Sequence, residues 1–405
     1  MELFRLEHKK LWKRNSVKIS VLLCFIYVVI LANILCFQWF SFGTSDDHTS
    51  AFGNNFDGYS AIRERQEYAH SFGEELTDET LQQLVQDYQR MDAADREEDI
   101  EKTDHWTVNN WLHILWPELE DTGEYYSILM IDYVDPDKLT GLYERRQQAL
   151  ETFLENNEQT GAEREYLLQM NRRVKIPFRY GWTDGWSSLL GSTVADLGII
   201  MALFIAIALS TLFAGEWHDR TGPLLLTTKN GWEKVAAAKI LVGLSFTVEL
   251  FGMLAAGGII SQLFFFGTTG WDMPIQSIKL IAVAPMNMLQ GEIYEYAYTL
   301  LGAIGYAGVV MLLSAVVKSN AQALLLSLGV VYVLPLLGKF LPYGGQIAID
   351  CIPLAGSATD IFRTNALQVF GKVIWTPWLL VSVPVLIGIL CMPGAVKGWA
   401  RRLKI

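Results

Sequence analysis

Residues 194–215 of the chain read VADLGIIMALFIAIALSTLFAG, and Asp196 is the only charged side chain among them. A helix needs about 20 predominantly apolar residues to cross the hydrocarbon core of a bilayer, and this stretch is long enough. Core helices of soluble proteins are rarely so evenly apolar over that length. The stretch therefore predicts a membrane-spanning helix.

Five further stretches meet the same criterion of length and apolar composition. They are residues 19–40, 240–266, 297–317, 321–340 and 373–396. The first follows a basic N-terminus, but it is too long for a signal peptide and lacks a small-x-small cleavage site, which favours a membrane anchor. The pattern predicts an all-α polytopic membrane protein with six transmembrane helices.

The charged residues divide the chain into two unlike parts. Residues 41–186 hold 31 of the 43 acidic and 13 of the 32 basic side chains, a net charge of −18, whereas the remainder carries +7. This distribution predicts an acidic domain at residues 41–187, inserted between the first two spans of a membrane domain that continues through residues 188–405. Such an acidic block argues against nucleic acid as a partner.

The basic residues near the spans predict the orientation, because cytoplasmic loops carry an excess of Lys and Arg. Six basic residues precede the first span, and the segments at 215–239, 318–320 and 397–404 are also basic. We therefore expect both termini in the cytoplasm, the acidic domain outside the cell, and the protein in the plasma membrane. Apolar residues alternate with basic ones in the first 18 residues, which predicts an interfacial helix there.

The acidic domain has the periodicity of helices. Thr77 precedes two acidic residues, as an N-cap does, and Leu81, Leu84, Val85 and Tyr88 follow at helical spacing. Helices are also expected at residues 137–155 and 161–172. Residues 125–134 are apolar enough for either a helix or a strand. Trp106, Trp111 and Trp116 are interpreted as packing anchors, with a substrate platform as the alternative.

No enzyme signature is present in the sequence. The chain lacks a P-loop, H-E-x-x-H, G-x-S-x-G and C-x-x-C, so we expect no catalytic residue, no metal site and no cofactor bound by this chain. Two acidic residues lie within predicted spans. Glu249, about ten residues into the third span, and Asp196, at the outer end of the second, are candidates for a translocation path. The alternatives are a Glu249 that is bonded to a neighbouring helix or protonated, and an Asp196 that caps its helix.

The cytoplasmic segment 215–239 joins the second span to the third. It contains a polar helix end, a Thr-Gly-Pro break, a short amphipathic stretch, a Lys-Asn-Gly turn and a new helix start. Such a segment, held close to the membrane, offers both apolar and charged groups to a cytoplasmic partner.

The residue order of this segment resembles that of the type-2 ABC exporter permease family. The pattern is F-x-x-E, then T-G, L-L-x-T, K-x-G and A-A-x-K at the entry to a span. The matching positions are Glu216, Arg220, Thr221, Gly222, Leu225, Thr227, Lys229 and Lys239. The basic N-terminal helix, six spans and an outside insert after the first span are similar too. Trp232 replaces the basic residue that the family commonly has after the second glycine.

The resemblance implies a permease subunit whose loop at 215–239 bears the coupling helix that contacts a cytoplasmic ATPase. ATP and Mg²⁺ would then be bound by that partner, and a second permease chain would complete the transporter, as a homodimer or heterodimer within the lipid bilayer. Few charges lie in the spans, which favours a hydrophobic or amphipathic substrate. The fifth-to-sixth connection, residues 341–372, is similar to family loops that form short re-entrant helices, with an interfacial hairpin as the alternative.

Two other functions remain open from the residues alone. A sensor or receptor would bind a ligand with the acidic domain and signal inward without an ATPase. A membrane enzyme would act on envelope material through outward-facing carboxylates.

Overall fold

The computed structural model describes residues 2–32, 59–91, 105–120, 129–159, 161–190, 194–218, 231–356 and 361–403. The chain is mainly helical in these ranges, with two short antiparallel pairs of strands, of which one is a β-hairpin.

In chain order, the described residues form the helices and strands below, together with a π-helix at Gly329–Val333. They are α1 (Glu2–Trp12), α2 (Asn15–Ala32), α3 (Tyr59–Ser71), β1 (Glu75–Leu76), α4 (Asp78–Arg90), α5 (His105–Leu115), α6 (Met130–Tyr133), α7 (Leu142–Asn156), α8 (Gly161–Asn171), β2 (Phe178–Arg179), α9 (Asp184–Ser188), α10 (Val194–Leu209), α11 (Thr211–His218), α12 (Gly231–Phe266), α13 (Met288–Val316), α14 (Asn320–Leu328), α15 (Leu334–Gly338), α16 (Tyr343–Asp350), β3 (Ala366–Val369), β4 (Lys372–Trp375) and α17 (Thr376–Leu403).

Five helical segments of the described chain are long and apolar enough to cross a membrane. They are Leu197–Glu216, Trp232–Phe266, Met288–Val316, Asn320–Gly338 and Thr376–Arg401. These five confirm a multi-pass membrane protein of mainly helical structure. α2 begins the first predicted span, but residues 33–40 of that span lie outside the described residues, so the count of six stays a prediction.

The contacts between helices give their relative directions. Near their ends, the Ser314 hydroxyl of α13 donates to the backbone oxygen of Ser210, just after α10, at 2.6 Å. Twelve residues earlier in each helix, Gly198 and Gly302 both face Leu354, so α10 and α13 run in the same direction.

Helices α13 and α17 pack through glycines. A Cβ atom on Gly308 would lie 2.6 Å from the backbone oxygen of Gly388, and a Cβ on Gly388 would lie 2.4 Å from the Cα of Gly305. No side chain fits in that space, so the two backbones touch, as small residues allow in membrane helix pairs.

The boundaries of two predicted segments differ from the structure. α13 begins at Met288, nine residues before the start predicted for the fourth span, because Asn287 and Gln290 form a capping box there. The connection at 341–372 contains the short helix α16 and the strand β3, which pairs with β4 at its end. The re-entrant helices and the interfacial hairpin both stay predictions.

The acidic domain is a set of short helices packed around its own core. Thr77 caps α4 by accepting from the Thr80 backbone N–H at 3.2 Å, which confirms the predicted cap. Leu81, Leu84, Val85 and Tyr88 are buried in this core, together with Trp111 and Trp116. Trp106 is 56% exposed, so only two of the three tryptophans are packing anchors.

Other elements of the acidic domain differ in detail from the prediction. The helix expected at 137–155 is divided into a 3₁₀ turn at Pro136–Lys138 and α7. The carboxylate of Asp78 accepts from the backbone N–H groups of Gly141 and Leu142 at 2.7 and 2.9 Å, which caps α7 from the neighbouring helix. Of the apolar segment 125–134, residues 129–134 are described, and they contain the short helix α6.

The acidic domain is fixed to the membrane domain by Arg146. This buried side chain of α7 donates to the backbone oxygens of Leu280 and Ala282 at 2.7 and 3.0 Å and to Asn171 at 2.8 Å. Burial lowers the pKa of Arg146 to about 10, which still leaves its guanidinium charged at neutral pH. A charged group bonded to carbonyls thus connects α7 to the loop between α12 and α13.

Candidate functional site

Helices α11 and α12 end and begin on either side of residues 219–230, and two buried charges join them. Glu216 lies in the last turns of α11 and Lys239 in the third turn of α12. The Lys239 Nζ atom donates to Glu216 Oε1 at 2.9 Å. The two residues are 7% and 1% exposed. Both ends of the segment are therefore held together by a buried ion pair.

Helix α1 completes this arrangement with two more charges. Lys239 also donates to Glu7 Oε2 at 2.9 Å, and Lys10 donates to Glu216 Oε1 at 2.9 Å. Glu7 and Lys10 are three residues apart and thus share one face of α1. We call Glu7, Lys10, Glu216 and Lys239 the junction network. It holds two acids and two bases, and it connects α1 with α11 and α12.

The electrostatics of the junction network depend on pairing. Partial burial lowers the pKa of Lys10, but the hydrogen bond and the negative charge of Glu216 raise it more, so the net shift is upward. Lys239 is almost wholly buried, and a buried ammonium without its carboxylates would be costly. The network therefore holds only while its three helices keep their relative positions.

A second set of contacts joins α1 to α12 further along. The Glu249 carboxylate lies 2.9 and 3.0 Å from His8 Nε2, and it accepts from Trp12 Nε1 at 3.0 Å and from the Ser245 hydroxyl at 2.6 Å. The Trp12 ring packs against Phe246 with centroids 5.5 Å apart. α1 is therefore attached along the first half of α12 by both polar and aromatic contacts.

The length of α12 indicates the depth of Glu249. The helix has 36 residues, about 54 Å at 1.5 Å per residue, while the hydrocarbon core is about 30 Å thick. About 20 residues counted back from Phe266 reach Thr247. Glu249, whose side chain is 38% exposed, then lies near the bilayer surface beside α1. Its role on a translocation path stays a prediction.

Three predicted site residues thus have described side chains, namely Glu216, Lys239 and Glu249. The first two lie together in the junction network, and Glu249 lies ten residues further along α12. Asp196 belongs to α10, but its side chain is outside the described set. The other candidates also lie outside the described residues. They are Arg220, Thr221, Gly222, Leu225, Thr227 and Lys229.

Sequence reasoning missed a pair of buried acids at the opposite end of the spans. Glu292 and Glu295 are 3% and 0% exposed in the first turns of α13, and Thr299 follows one turn later at 0%. Neither oxygen of Glu292 meets hydrogen-bond geometry with a polar atom of the described chain. The phenol of Tyr296 is the polar group that interacts with the Glu292 carboxyl. A buried ionisable group inside a span is a candidate functional residue by default.

The predicted spans at 240–266 and 297–317 leave these acids in the loop between them. The sequence Asn287-Met-Leu-Gln290 could have corrected this, because a residue that caps a helix, followed three residues later by Gln, indicates a helix start. The two acids, three residues apart, would then have been placed on one face of a spanning helix.

Within the described residues, no three His, Cys, Asp or Glu side chains lie close enough to hold a metal ion. Comparison of the chain with protein-family models, with curated proteins and with solved structures finds no match.

Proposed function

We propose that the chain is the membrane-spanning subunit of an ATP-driven ABC transporter. In this proposal a separate cytoplasmic ATPase binds ATP and Mg²⁺ and presses on the segment 215–239, and the chain exports a hydrophobic or amphipathic substrate. The chain itself catalyses no reaction and pairs with a second permease chain in the bilayer. The acidic domain lies outside the cell, where it shapes the exit.

The junction network is the observation that carries this proposal. A partner that displaces residues 219–230 acts on α11 and α12 together, because Glu216 and Lys239 bind each other at 2.9 Å. α1 moves with them, because Glu7 and Lys10 bind the same two residues. Displacement of residues 219–230 would therefore move α1, α11 and α12 together.

Coupling requires that the ATPase bind the two states of the permease with different affinity. A rigid unit meets this requirement better than a flexible loop, because displacement at its surface is not absorbed before it reaches the spans. The apolar character of the helices and the resemblance of the sequence at 215–239 to the coupling loop of the permease family supply the remaining support.

A cavity outside the membrane helices favours a second candidate, the sensor. It has a volume of about 440 Å³ and lies between α5 of the acidic domain and the loop that precedes α13. Its lining includes His113, Asp184 and Lys279. A receptor for a small polar ligand would use such a cavity, and it would need no ATPase.

Photo-crosslinking inside cells distinguishes the two candidates. A photoreactive amino acid at Lys229 is expected to crosslink to a protein with a P-loop, whereas one at the exposed Lys318 serves as the control at the same end of the helices. The ATPase crosslink should change in yield when ATP hydrolysis is blocked by vanadate. Crosslinks from Lys229 only to proteins without a nucleotide-binding site would contradict the transporter.

A further inference from the structure

A basic surface stands out within the acidic domain. Residues 172–179 read RRVKIPFR and carry four of the 13 basic side chains of a block whose net charge is −18. Three of the four line one cavity of about 490 Å³, namely Arg173, Lys175 and Arg179. Asp272 is the only carboxylate in the lining, so the cavity wall carries a net charge of +2.

The side chain of Arg179 already pairs with acidic side chains. It pairs with Asp272 and lies 3.8 Å from Glu74. Arg173 and Lys175 are exposed, and neither makes a salt bridge with the described part of the chain. These two cations are therefore available to a ligand with negative charge.

The start of α13 adds neutral donors to the same cavity. Asn287 and Gln290 both line it. Their side-chain oxygens accept from each other's backbone N–H groups at 2.9 and 3.1 Å, so the capping box uses both oxygens. The two amide NH₂ groups remain, and an NH₂ group can only donate.

The backbone of α13 does not itself offer donors there. The N–H groups of Met288 and Leu289 donate to the backbone oxygens of Met273 and Trp271 at 2.8 and 2.9 Å. The positive end of the helix dipole nevertheless lies beside the cavity and favours an anion. The side chains of Arg173, Lys175, Asn287 and Gln290 would make the contacts.

One buried hydrogen-bond acceptor restricts the chemical class of the ligand. Gln276 is 0% exposed and lines the cavity. Its NH₂ group donates to the backbone oxygens of Ala282 and Ala284, and its Oε1 atom has no hydrogen-bond partner among the described residues. A ligand with a hydroxyl or amino group beside its anion would satisfy this oxygen.

The cavity lies beside the ends of two segments that are long and apolar enough to cross a membrane. The spanning segments on either side end at Phe266 and begin at Met288, and Asn287 and Gln290 are at that boundary. Ile176, next to Lys175, is 59% exposed, and Trp271 is 47% exposed. Exposed apolar and aromatic side chains among cations are typical of the headgroup region.

We propose that this cavity binds the phosphate-bearing headgroup of a membrane lipid, a phosphodiester that also carries a hydroxyl or amino group. Arg173 and Lys175 neutralise the phosphate, the amides of Asn287 and Gln290 donate to it, and Gln276 accepts from the hydroxyl or amino group. The proposal does not depend on an ATPase partner or on transport.

The test uses the full-length protein purified in a neutral maltoside detergent, with binding followed by thermophoresis. Dioleoylphosphatidylglycerol in mixed micelles is the ligand, and dioleoylglycerol and inorganic phosphate are the comparisons. The Arg173→Gln/Lys175→Gln variant is expected to weaken lipid binding by at least about tenfold, since hydrogen bonds to charged groups contribute that much. The matched variant Lys138→Gln/Arg164→Gln removes the same charge elsewhere in the domain and should bind like the wild type.

Three results would overturn the proposal. Equal lipid affinity in the two double variants would show that the cavity is not the site. Equal affinity for dioleoylglycerol would show that the phosphate is not recognised. Inorganic phosphate that binds as tightly as the lipid would assign the cavity to a soluble anion. Unchanged thermal unfolding of both double variants confirms that folding is intact.

Discussion

Glu216 and Glu292 are two buried carboxylates near opposite ends of the membrane helices, and their surroundings differ. Glu216 Oε1 lies 2.9 Å from both Lys10 and Lys239. Glu292, buried to a similar degree, lies beside the phenol of Tyr296 and pairs with no cation among the described residues. The first charge is neutralised within the chain, whereas the second must be neutralised by a proton or by a cation from elsewhere.

This difference indicates which role each of the two carboxylates can have in the protein. A carboxylate held by two lysines ties helices together and transmits displacement, because any separation exposes unpaired charges. A carboxylate without such partners is free to change its charge with the state of the protein. The stability of the protein should therefore depend strongly on the first and weakly on the charge of the second.

The largest effect is expected from Lys239→Met. The change removes the Lys239 ammonium from both Glu7 and Glu216, and breaking a buried pair typically costs about 3–5 kcal/mol of unfolding free energy. Unfolding with sodium dodecyl sulfate in mixed micelles measures it. Lys234→Met, on the exposed side of α12, is the control and should change stability by less than about 0.5 kcal/mol.

A companion variant separates charge from packing. Lys239→Met/Glu216→Met leaves Glu7 and Lys10 as one acid and one base, so it should recover more than half of the loss. If the double variant is less stable than Lys239→Met, pairing is not the reason for the loss.

The next largest effect is expected at Arg146, the other buried cation. Arg146→Met leaves the carbonyl of Leu280 without the Arg146 donor and the carbonyl of Ala282 with the Gln276 amide, at a cost of about 1.5–3 kcal/mol. Amide hydrogen exchange in residues 279–284 should accelerate, while the exposed Lys138→Met should leave it unchanged. Unaltered exchange would mean that Arg146 does not hold the acidic domain to the membrane domain.

A small effect is expected from weakening the contact of α1 with Glu249. His8→Ala removes one of its partners, and because the carboxylate is more than a third exposed, solvent screening limits the loss to about 0.5–1 kcal/mol. The same unfolding titration measures it. A loss as large as that of Lys239→Met would place Glu249 in a much less solvated setting than the structure gives it.

The smallest effect is expected from Glu292→Gln. The amide keeps the shape of the carboxyl and removes no ion pair, so stability should change by less than about 1 kcal/mol. The matched Glu216→Gln change leaves two lysines facing a neutral amide and should be far more costly. Equal losses in the two variants would contradict the comparison of the two acids.

The sequence predicts local features of this protein well and distant contacts poorly. The Thr77 cap and the buried positions Leu81 to Tyr88 depend on neighbours within four residues, so spacing alone indicates them. For the same reason, five of the six predicted spans correspond to helical segments that are long and apolar enough to cross a membrane. Length and composition suffice for both, because neither depends on which helix packs against which.

The ion-pair partners of the charged residues could be identified only from the structure. Glu216 and Lys239 were assigned from the sequence to a partner-facing loop, whereas the structure pairs them with Glu7 and Lys10, which are more than 200 residues away in the chain. The burial of Glu292 likewise depends on how the membrane helices pack. No local pattern encodes such contacts.

The central claim is that an ATPase binds this chain through the segment that the junction network holds. Affinity purification of the tagged full-length chain from its native cell in mild detergent, with mass spectrometry and an ATP hydrolysis assay, tests it most directly. The account predicts a P-loop protein in stoichiometric amount, with vanadate-sensitive hydrolysis that Lys234→Glu reduces and the control Lys318→Glu leaves intact. Purification of the intact chain without any ATPase, across several detergents, would contradict it.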